Sequence, residues 1–296
     1  MKQLIVNADD FGLTSGVNRA VIEGHERGII TSATVMANMP AFDEAVRLAQ
    51  AHPSLGVGLH FNITQGKPVA NASHVRSLTD GGEFLPSSTA VAWRSFTGRL
   101  RTEELVIELR AQLEKAIAAG LRLTHVDGHQ HVQTWPQVFE ALARTLPDYG
   151  IRAVRLPRER PHLNGAKTSP KVIKQSVVAF GLAQLSRANF AELENVGLRT
   201  TDAFFGIAHT GCWTKSWLVD VIEHLPEGVS ELMCHPGYED RHLARARTRL
   251  RASRAMELEL LTDPDIAALL QGRAVSLINY GQITAGLASS LDVPAG

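Results

Sequence analysis

The chain has 296 residues, 44% of them apolar and 20% charged, which is an ordinary composition for a globular protein with a sizeable core. Its 30 basic and 30 acidic side chains cancel, so nucleic acid and anionic membranes are not expected as main partners. The length admits one large α/β barrel or two smaller domains, and a small ligand is the partner that this composition favours.

Cysteine use and the N-terminal sequence indicate the compartment. Cys212 and Cys234 lie far apart in sequence, which predicts a reducing environment without a disulfide framework. The first residues run directly into a strand pattern, without the basic and apolar regions of a signal peptide. No apolar run approaches the roughly 18 to 20 residues that span a bilayer as a helix. We therefore expect a cytoplasmic protein without a membrane span.

Short apolar runs alternate with longer segments of helical period, which is typical of βα units. Strands are predicted at residues 3–8, 31–36, 55–61, 123–129, 151–156, 203–207, 230–234 and 274–279. Helices are predicted at residues 15–27, 42–51, 102–119, 136–149, 171–194, 213–224, 241–261 and 264–271. This alternation favours an α/β fold, with a (β/α) barrel as the first choice and a doubly wound open sheet as the second.

Two segments depart from the alternation. Residues 64–90 are rich in Gly, Pro, Ser and Thr and predict a long excursion, and loops of that length are usually functional or disordered. A Pro-rich basic loop follows residue 156 and opens a second excursion, 157–200. Because no internal repeat or linker divides the chain, we predict a single domain over residues 1–296 that carries both excursions.

Two adjacent carboxylates, Asp9 and Asp10, close the apolar run Leu4-Ile5-Val6. Ionised carboxylates are costly at the end of a buried strand, so the pair predicts a cation, a hydrogen-bond network or a proton-transfer role. A strand-end turn or a helix cap is the plainer interpretation. Adjacent side chains point to opposite faces of an ideal strand, so both reach one site only if the strand ends or bulges there.

Polar side chains that can bind a metal recur at the ends of other predicted strands. In barrels and open α/β sheets the carboxyl ends of the strands meet at the edge where sites form. The members of this set are Asp9, Asp10, His60, His125, Asp127, His129, His131 and His235. A lone strand histidine such as His60 is more typical of a hydrogen-bonded core residue, so the whole set carries more weight than any single member.

The run from residue 125 to 131 has a polar side chain at every second position, namely His125, Asp127, His129 and His131. If the strand stays extended, these four share one face, which must then point at a cavity or an ion. A catalytic cation needs about three protein ligands and an open position, so not all four are ligands. Proximity to the strand tip favours His129 or His131 as a ligand. Asp127 or His125 would then orient the ligands.

Three further features carry both a functional and a plainer interpretation. His235 follows a predicted strand and is either a catalytic acid or part of a simple turn. Arg155 and Arg158 lie at another strand end and could bind substrate hydroxyls or anions, although a solvated loop is the safer interpretation. Six arginines between residues 241 and 254 would attract polyanions if isolated, but the zero net charge favours a solvated helix face.

Four motifs follow one another along the chain and together are specific, whereas any one alone would be weak. They are Asn7-Ala8-Asp9-Asp10-Phe11-Gly12-Leu13, Gly58-Leu59-His60-Phe61-Asn62 followed by Gly66-Lys67-Pro68, Thr124-His125-Val126-Asp127-Gly128-His129-Gln130-His131, and Met233-Cys234-His235-Pro236-Gly237. In this order they resemble the motifs of the YdjC-like carbohydrate deacetylases, a family that includes the chitooligosaccharide (diacetylchitobiose) deacetylase. The resemblance runs from residue 3 to about residue 280.

The resemblance implies a distorted (β/α) TIM-like barrel, related to the polysaccharide deacetylases, that removes an acetyl group from an N-acetylated sugar with one divalent cation. By position, Asp10, His60 and His129 match the metal ligands. Asp9 matches the general base and His235 the candidate general acid. Two histidines and a carboxylate favour a transition metal on softness grounds, whereas ligation by water oxygens admits Mg²⁺, so the sequence leaves Mg²⁺ and Zn²⁺ both open. A homodimer is compatible with the sequence.

The chain departs from the family pattern, and two other functions stay open. Gln133 stands where the histidine-rich motif often ends in a further histidine, and the two excursions match too loosely to carry substrate residues across. One alternative is a barrel metal hydrolase acting on a phosphoester or a cyclic amide, which predicts that Arg155 and Arg158 point at the ion. The other is a non-catalytic sugar-binding protein that has kept the ligands, which the presence of Asp9 and His235 argues against.

Overall fold

The computed structural model describes residues 1–159 and 169–283, apart from the side chain of Glu194. The strands are β1 (Lys2–Phe11), β2 (Ser32–Val35), β3 (Gly56–Phe61), β4 (Thr79–Asp80), β5 (Glu83–Phe84), β6 (Leu123–Gly128), β7 (Ala203–Phe205), β8 (Gly228–Cys234) and β9 (Val275–Leu277). The α-helices are α1 (Ser15–Arg27), α2 (Phe42–Ala51), α3 (Ser88–Phe96), α4 (Thr102–Ala118), α5 (Pro136–Thr145), α6 (Pro170–Asn195), α7 (Lys215–Glu223), α8 (Ala252–Leu261) and α9 (Pro264–Gly272).

Seven strands form one parallel sheet in the order β6-β3-β2-β1-β8-β7, with β9 paired to the first residues of β1. Beyond the edge strand β6, Val154 bridges Val126, and Ala153 bridges Arg199, shortly before β7 begins. The segment around residue 153 therefore lies between the two ends of the sheet. The sheet curls into an incomplete barrel, which confirms the prediction of an α/β, distorted TIM-like barrel.

The strands and helices follow from local features of the sequence. β1 is buried continuously from Leu4 to Phe11, as expected for a parallel strand covered on both faces. Thr14 caps α1, because its hydroxyl accepts a hydrogen bond from the N–H of Val17 at 3.3 Å. α5 begins at Pro136, where the missing N–H is tolerated in the first helical turn. Both helices start a few residues after a polar strand end, so the polar side chains stay at the sheet edge.

The predicted helix over residues 241–261 is wrong in its first half. Only Ala252–Leu261 is helical, and the residues before it form turns and bends. The carboxylate of Asp240 accepts hydrogen bonds from the N–H groups of His242 and Leu243, at 2.8 and 2.7 Å. Such local bonds between side chain and backbone compete with helix formation.

The prediction of a strand at residues 151–156 is also wrong, because within the described residues this segment pairs only through single bridges at Ala153 and Val154. It is an extended segment rather than a regular strand.

The first excursion, 64–90, contains two 3₁₀ turns, the β4–β5 hairpin and the start of α3. In the second, residues 160–168 of the Pro-rich loop lie outside the described residues, as do residues 284–296 at the C-terminus. The division into one domain with two excursions stays a prediction.

Cys212 and Cys234 are free thiols in the described part of the chain, in agreement with the absence of a disulfide framework. Among the helices of residues 1–159 and 169–283, none is both long and apolar enough to cross a membrane.

Candidate metal centre and active site

β1 ends in a bulge that brings both Asp9 and Asp10 to one site. Its pairing with β2 shifts register between Ala8 and Phe11, and Asp10 has a left-handed backbone with φ 67°. This conformation is uncommon for residues other than glycine, although aspartate adopts it more readily than most. Oδ1 of Asp10 lies 3.5 Å from Nε2 of His60, and Asp9 also offers an oxygen within 4.8 Å of His60. Of the two conditions that the sequence left open, a strand end or a bulge, the structure has the bulge.

Asp10, His60 and His129 come together from the carboxyl ends of β1, β3 and β6. Their ligand atoms all lie within 4.8 Å of one another. Nδ1 of His129 is 3.1 Å from Oδ1 of Asp10 and 3.2 Å from Nε2 of His60. Although Oδ1 of Asp10 is buried, no donor among the described residues meets it with hydrogen-bond geometry. An orphaned carboxylate oxygen beside two imidazole nitrogens fits a divalent cation, because one carboxylate and two histidines form a common catalytic ligand set.

Asp127 orients His60 from behind. Nδ1 of His60 donates to Oδ1 of Asp127 at 2.6 Å, which leaves Nε2 facing Asp10. Thr34 donates to the other oxygen of Asp127 at 3.1 Å. Burial lowers the pKa of His60, but the carboxylates, Asp127 first, raise it to about 9. This is the contact expected of a residue that fixes the tautomer of a metal-binding histidine.

Arg155 is fully buried among three carboxylates. It donates to both oxygens of Asp9 at 2.8 and 2.7 Å, and it lies 2.6 Å from Oδ2 of Asp127 and 2.7 Å from Oε1 of Glu231. Burial raises the pKa of Asp9, but the Arg155 guanidinium lowers it by more than that. The pKa of Asp9 therefore lies well below its usual range, and the carboxylate stays ionised. Arg155 therefore binds protein groups, and the solvated-loop interpretation is wrong for this residue.

A second possible set of ligand atoms, from Asp9, His60 and Asp127, shares His60 with the first. It fits a cation less well. Arg155 already pairs with oxygens of Asp9 and Asp127, whereas Oδ1 of Asp10 faces its two histidines without a hydrogen bond within the described residues. We therefore take Asp10, His60 and His129 as the candidate metal centre.

His235 follows β8 at the same edge of the sheet, with Nε2 3.9 Å from Oδ2 of Asp9. Its backbone N–H donates to Oε2 of Glu257 on α8 at 2.6 Å. Burial lowers the pKa of His235 to about 4, although Asp9 and Asp10 oppose the shift. This pKa favours the neutral imidazole at pH 7, and its Nε2 faces the Asp9 carboxylate.

The alternation expected between residues 125 and 131 ends early. β6 stops at Gly128, and both Gln130 and His131 have left-handed backbones, with φ 56° and 57°. The four polar residues therefore do not share one extended face. His125 is buried and stacks on Tyr280, with ring centroids 3.8 Å apart. Within the described ranges, His131 has a buried Nδ1 without a hydrogen-bond partner, and neither histidine joins a set of ligand atoms.

Arg155 and Arg158 do not form the phosphate clamp that the phosphoester alternative predicts, because both guanidinium groups bind protein atoms. Arg158 donates to the carbonyl oxygen of Asp202 at 2.6 Å and lies over the ring of Phe190 at 4.8 Å. Arg155 is held by carboxylates, and its carbonyl oxygen accepts a hydrogen bond from Gln133 at 3.4 Å. Gln133, the departure from the family motif, thus supports the backbone beside Arg155.

Comparison with known proteins places the chain in a family. A model of the YdjC-like protein family matches residues 3–272. The chain belongs to the YdjC-like family. A carbohydrate deacetylase of Geobacillus stearothermophilus is 35% identical over 277 residues, covering 93% of this chain and 96% of the relative. One of Thermoanaerobacter pseudethanolicus is 31% identical over 283 residues, covering 95% and 98%.

A solved structure has the same fold. It is a protein of Enterococcus faecalis, provisionally named a cellobiose-phosphate cleavage protein, with a TM-score of 0.77 and 26% identity. The match covers 95% of this chain and 98% of that one. The predicted family is therefore confirmed, and the names of the relatives agree with the prediction of a hydrolase of the carbohydrate deacetylase class.

Three buried residues of this YdjC-like site escaped prediction from the sequence, namely Glu231, Arg254 and Tyr280. Tyr280 donates to Oε2 of Glu231 at 2.5 Å, and Arg254 donates to Oδ2 of Asp10 at 2.5 Å. A glutamate inside the apolar run of β8 was a visible signal, because such a charge needs a buried partner. Arg254 had no such signal, since it is one of six arginines in a short segment.

Proposed function

We propose that this chain is a metal-dependent carbohydrate deacetylase that hydrolyses the amide bond of an N-acetylated sugar to acetate and an amino sugar. The observation that carries the proposal is the grouping of Asp10, His60 and His129 beside Asp9 and His235. The first three would supply a ligand set, and the last two would supply a base and an acid whose nearest side-chain atoms lie 3.9 Å apart. The names of the relatives support acetylated carbohydrate as the substrate class.

Asp10, His60 and His129 would hold the cation. Bound there, a divalent cation lowers the pKa of water and polarises the acetyl carbonyl group. The protein contributes the orientation of the ligands, because Asp127 fixes the ring of His60 through Nδ1.

Asp9 is the proton acceptor for the attacking water in this proposal. Its carboxylate is buried and held on both oxygens by Arg155, so it is fixed in orientation and always ionised at the start of the reaction. Because Arg155 lowers the pKa of Asp9, the protonated carboxyl group would give up its proton readily. Asp9 would therefore hold the proton only briefly before passing it on.

His235 is the proton donor to the leaving amine. Its neutral resting form means that the imidazolium has to form during the reaction, and the neighbouring carboxyl group of Asp9 is the source of the proton. The sugar nitrogen receives that proton as the C–N bond breaks, since an unprotonated amide nitrogen is a poor leaving group. One water is consumed, and acetate and the amine leave.

The proposal is tested by acetate release from N-acetylglucosamine and its disaccharide, with chelator-treated protein and with Zn²⁺ or Mg²⁺ added back. We expect release only with metal, and loss of both metal binding and release in Asp10→Asn. Asp80→Asn on the exposed β4–β5 hairpin is the matched control and should behave as wild type. Release from rigorously metal-free protein would contradict the metal dependence. Phosphate release without acetate, or saccharide binding without turnover, would favour the two alternative functions.

A further inference from the structure

Arg254 differs from the other arginines of its segment. Five of the six, at positions 241, 245, 247, 249 and 251, are exposed, whereas Arg254 is fully buried. It is carried by α8, and neither the helix nor the arginine belongs to the motifs that resemble the family. A fully buried guanidinium requires specific partners.

Those partners fix the side chain on two sides. Nη2 donates to Oδ2 of Asp10 at 2.5 Å, and Nε donates to the carbonyl oxygen of Leu250 at 3.1 Å. The backbone carbonyl of Arg254 also accepts from the N–H of Gly237 at 3.3 Å. A Cβ at Gly237 would lie only 2.8 Å from Cδ of Arg254, so the side chain runs tightly beneath the turn that follows His235.

Arg254 contacts only one of the two carboxylate oxygens of Asp10. A carboxylate can rotate so that either oxygen faces a given direction. Here Arg254 holds Oδ2, while Oδ1 points toward His129 and His60 without a hydrogen bond in the described part of the chain.

We propose that Arg254 is a positioning residue, which holds Oδ2 of Asp10 so that Oδ1 serves as the metal ligand. This inference rests on the metal centre of the proposed function. The alternative is that Arg254 only balances charge in a crowded carboxylate cluster. The two roles predict opposite effects on metal binding. Loss of an orienting residue weakens binding, whereas loss of a nearby positive charge alone would tighten it.

The experiment measures Zn²⁺ affinity of the full chain by competition with a chromophoric chelator, and the absorption spectrum of the Co²⁺-loaded protein. The variants are Arg254→Met, which keeps the length, and Arg254→Lys, which keeps the charge. Arg247→Met, an exposed position of the same segment, is the matched control. We expect Arg254→Met to weaken Zn²⁺ binding about 10- to 100-fold and to change the Co²⁺ spectrum. Arg254→Lys should recover part of the affinity, and Arg247→Met should match wild type.

Affinity of the Met variant within about threefold of wild type, or tighter, with an unchanged Co²⁺ spectrum would overturn the inference. Circular dichroism establishes that each variant is folded. If Arg254→Met does not fold, Arg254→Lys decides, since weaker binding with an altered spectrum supports the positioning role and wild-type behaviour overturns it. A wild-type chain that binds no Zn²⁺ would overturn the metal centre and this inference together. Wild-type binding that the substitutions leave unchanged would overturn only the role of Arg254.

Discussion

Arg155 donates one hydrogen bond to each carboxylate oxygen of Asp9, at 2.8 and 2.7 Å. The same guanidinium lies within 2.7 Å of oxygens on Asp127 and Glu231, so one buried cation holds three carboxylates from different strands. The metal-binding and proton-transfer sides of the candidate site are therefore linked through Arg155. Substitutions here are expected to affect stability as well as activity.

Arg155→Met should destabilise the protein strongly, because it leaves several buried carboxylates without their counter-ion. Removing one partner of a buried ion pair costs about 3 to 5 kcal/mol, and the loss here should lie in that range or above it. Urea unfolding followed by circular dichroism measures the free energy of unfolding. Arg158→Met, whose guanidinium binds a backbone carbonyl nearby, is the control and should cost much less. Equal losses in the two variants would contradict the role given to Arg155.

Asp127→Asn should weaken metal binding without unfolding the chain. Nδ1 of His60 donates to Asp127 at 2.6 Å, and an amide holds that tautomer less firmly than a carboxylate. Loss of such an orienting contact typically costs about 10- to 100-fold in metal affinity. Calorimetric titration of the metal-free variant with Zn²⁺ measures the effect, with Asp80→Asn as the exposed control. Wild-type affinity in Asp127→Asn would show that the contact does not orient His60.

His235→Ala should separate amide from ester hydrolysis. An amine must be protonated as it leaves, whereas the phenolate of an aryl acetate leaves without help. We therefore expect acetate release from N-acetylglucosamine oligomers to fall about 10²- to 10⁴-fold, and hydrolysis of 4-nitrophenyl acetate to fall far less. Asp10→Asn, measured alongside, should lose both activities because it disturbs the metal centre. Equal losses on the two substrates in His235→Ala would argue against a proton-donor role.

Glu159 should make the stability of the protein depend on pH. It is buried and accepts hydrogen bonds from the N–H groups of Gly206, Ile207 and Ala208. Burial raises its pKa to about 7, although these N–H groups oppose the shift. The folded chain thus binds this proton more tightly than the unfolded chain does. The resulting stabilisation is complete below the unfolded pKa of 4.5 and is lost as pH rises through about 7.

Urea unfolding at pH 5, 6, 7 and 8 tests this expectation with Glu159→Gln. The wild-type free energy of unfolding minus that of the variant should fall by about 2 kcal/mol between pH 5 and pH 8. Glu259→Gln on the exposed face of α8 should leave the pH dependence as it is in wild type. A difference between wild type and Glu159→Gln that stays constant over this range would mean that Glu159 is ionised throughout.

Much of the barrel follows from the sequence, because the period of apolar residues is a local property. Apart from the β4–β5 hairpin and α3, which the pattern did not predict, the strand and helix order agrees with the local pattern, as do the buried run of β1 and the strand-end positions of Asp10, His60 and His235. Two predicted elements differ from the structure. The helix expected over residues 241–261 loses its first half to the turn organised by Asp240, and the segment at residue 153 pairs through single bridges alone.

The sequence by itself determined the α/β alternation and, through four ordered motifs, the family and the candidate ligands. Only the tertiary structure decided how those residues are supported. Asp10 lies at a bulge and pairs with the distant Arg254, whereas Asp9 pairs with Arg155, which also pairs with Glu231. Such contacts join residues that are far apart in the chain. No local period encodes them, because each depends on how the whole sheet curls.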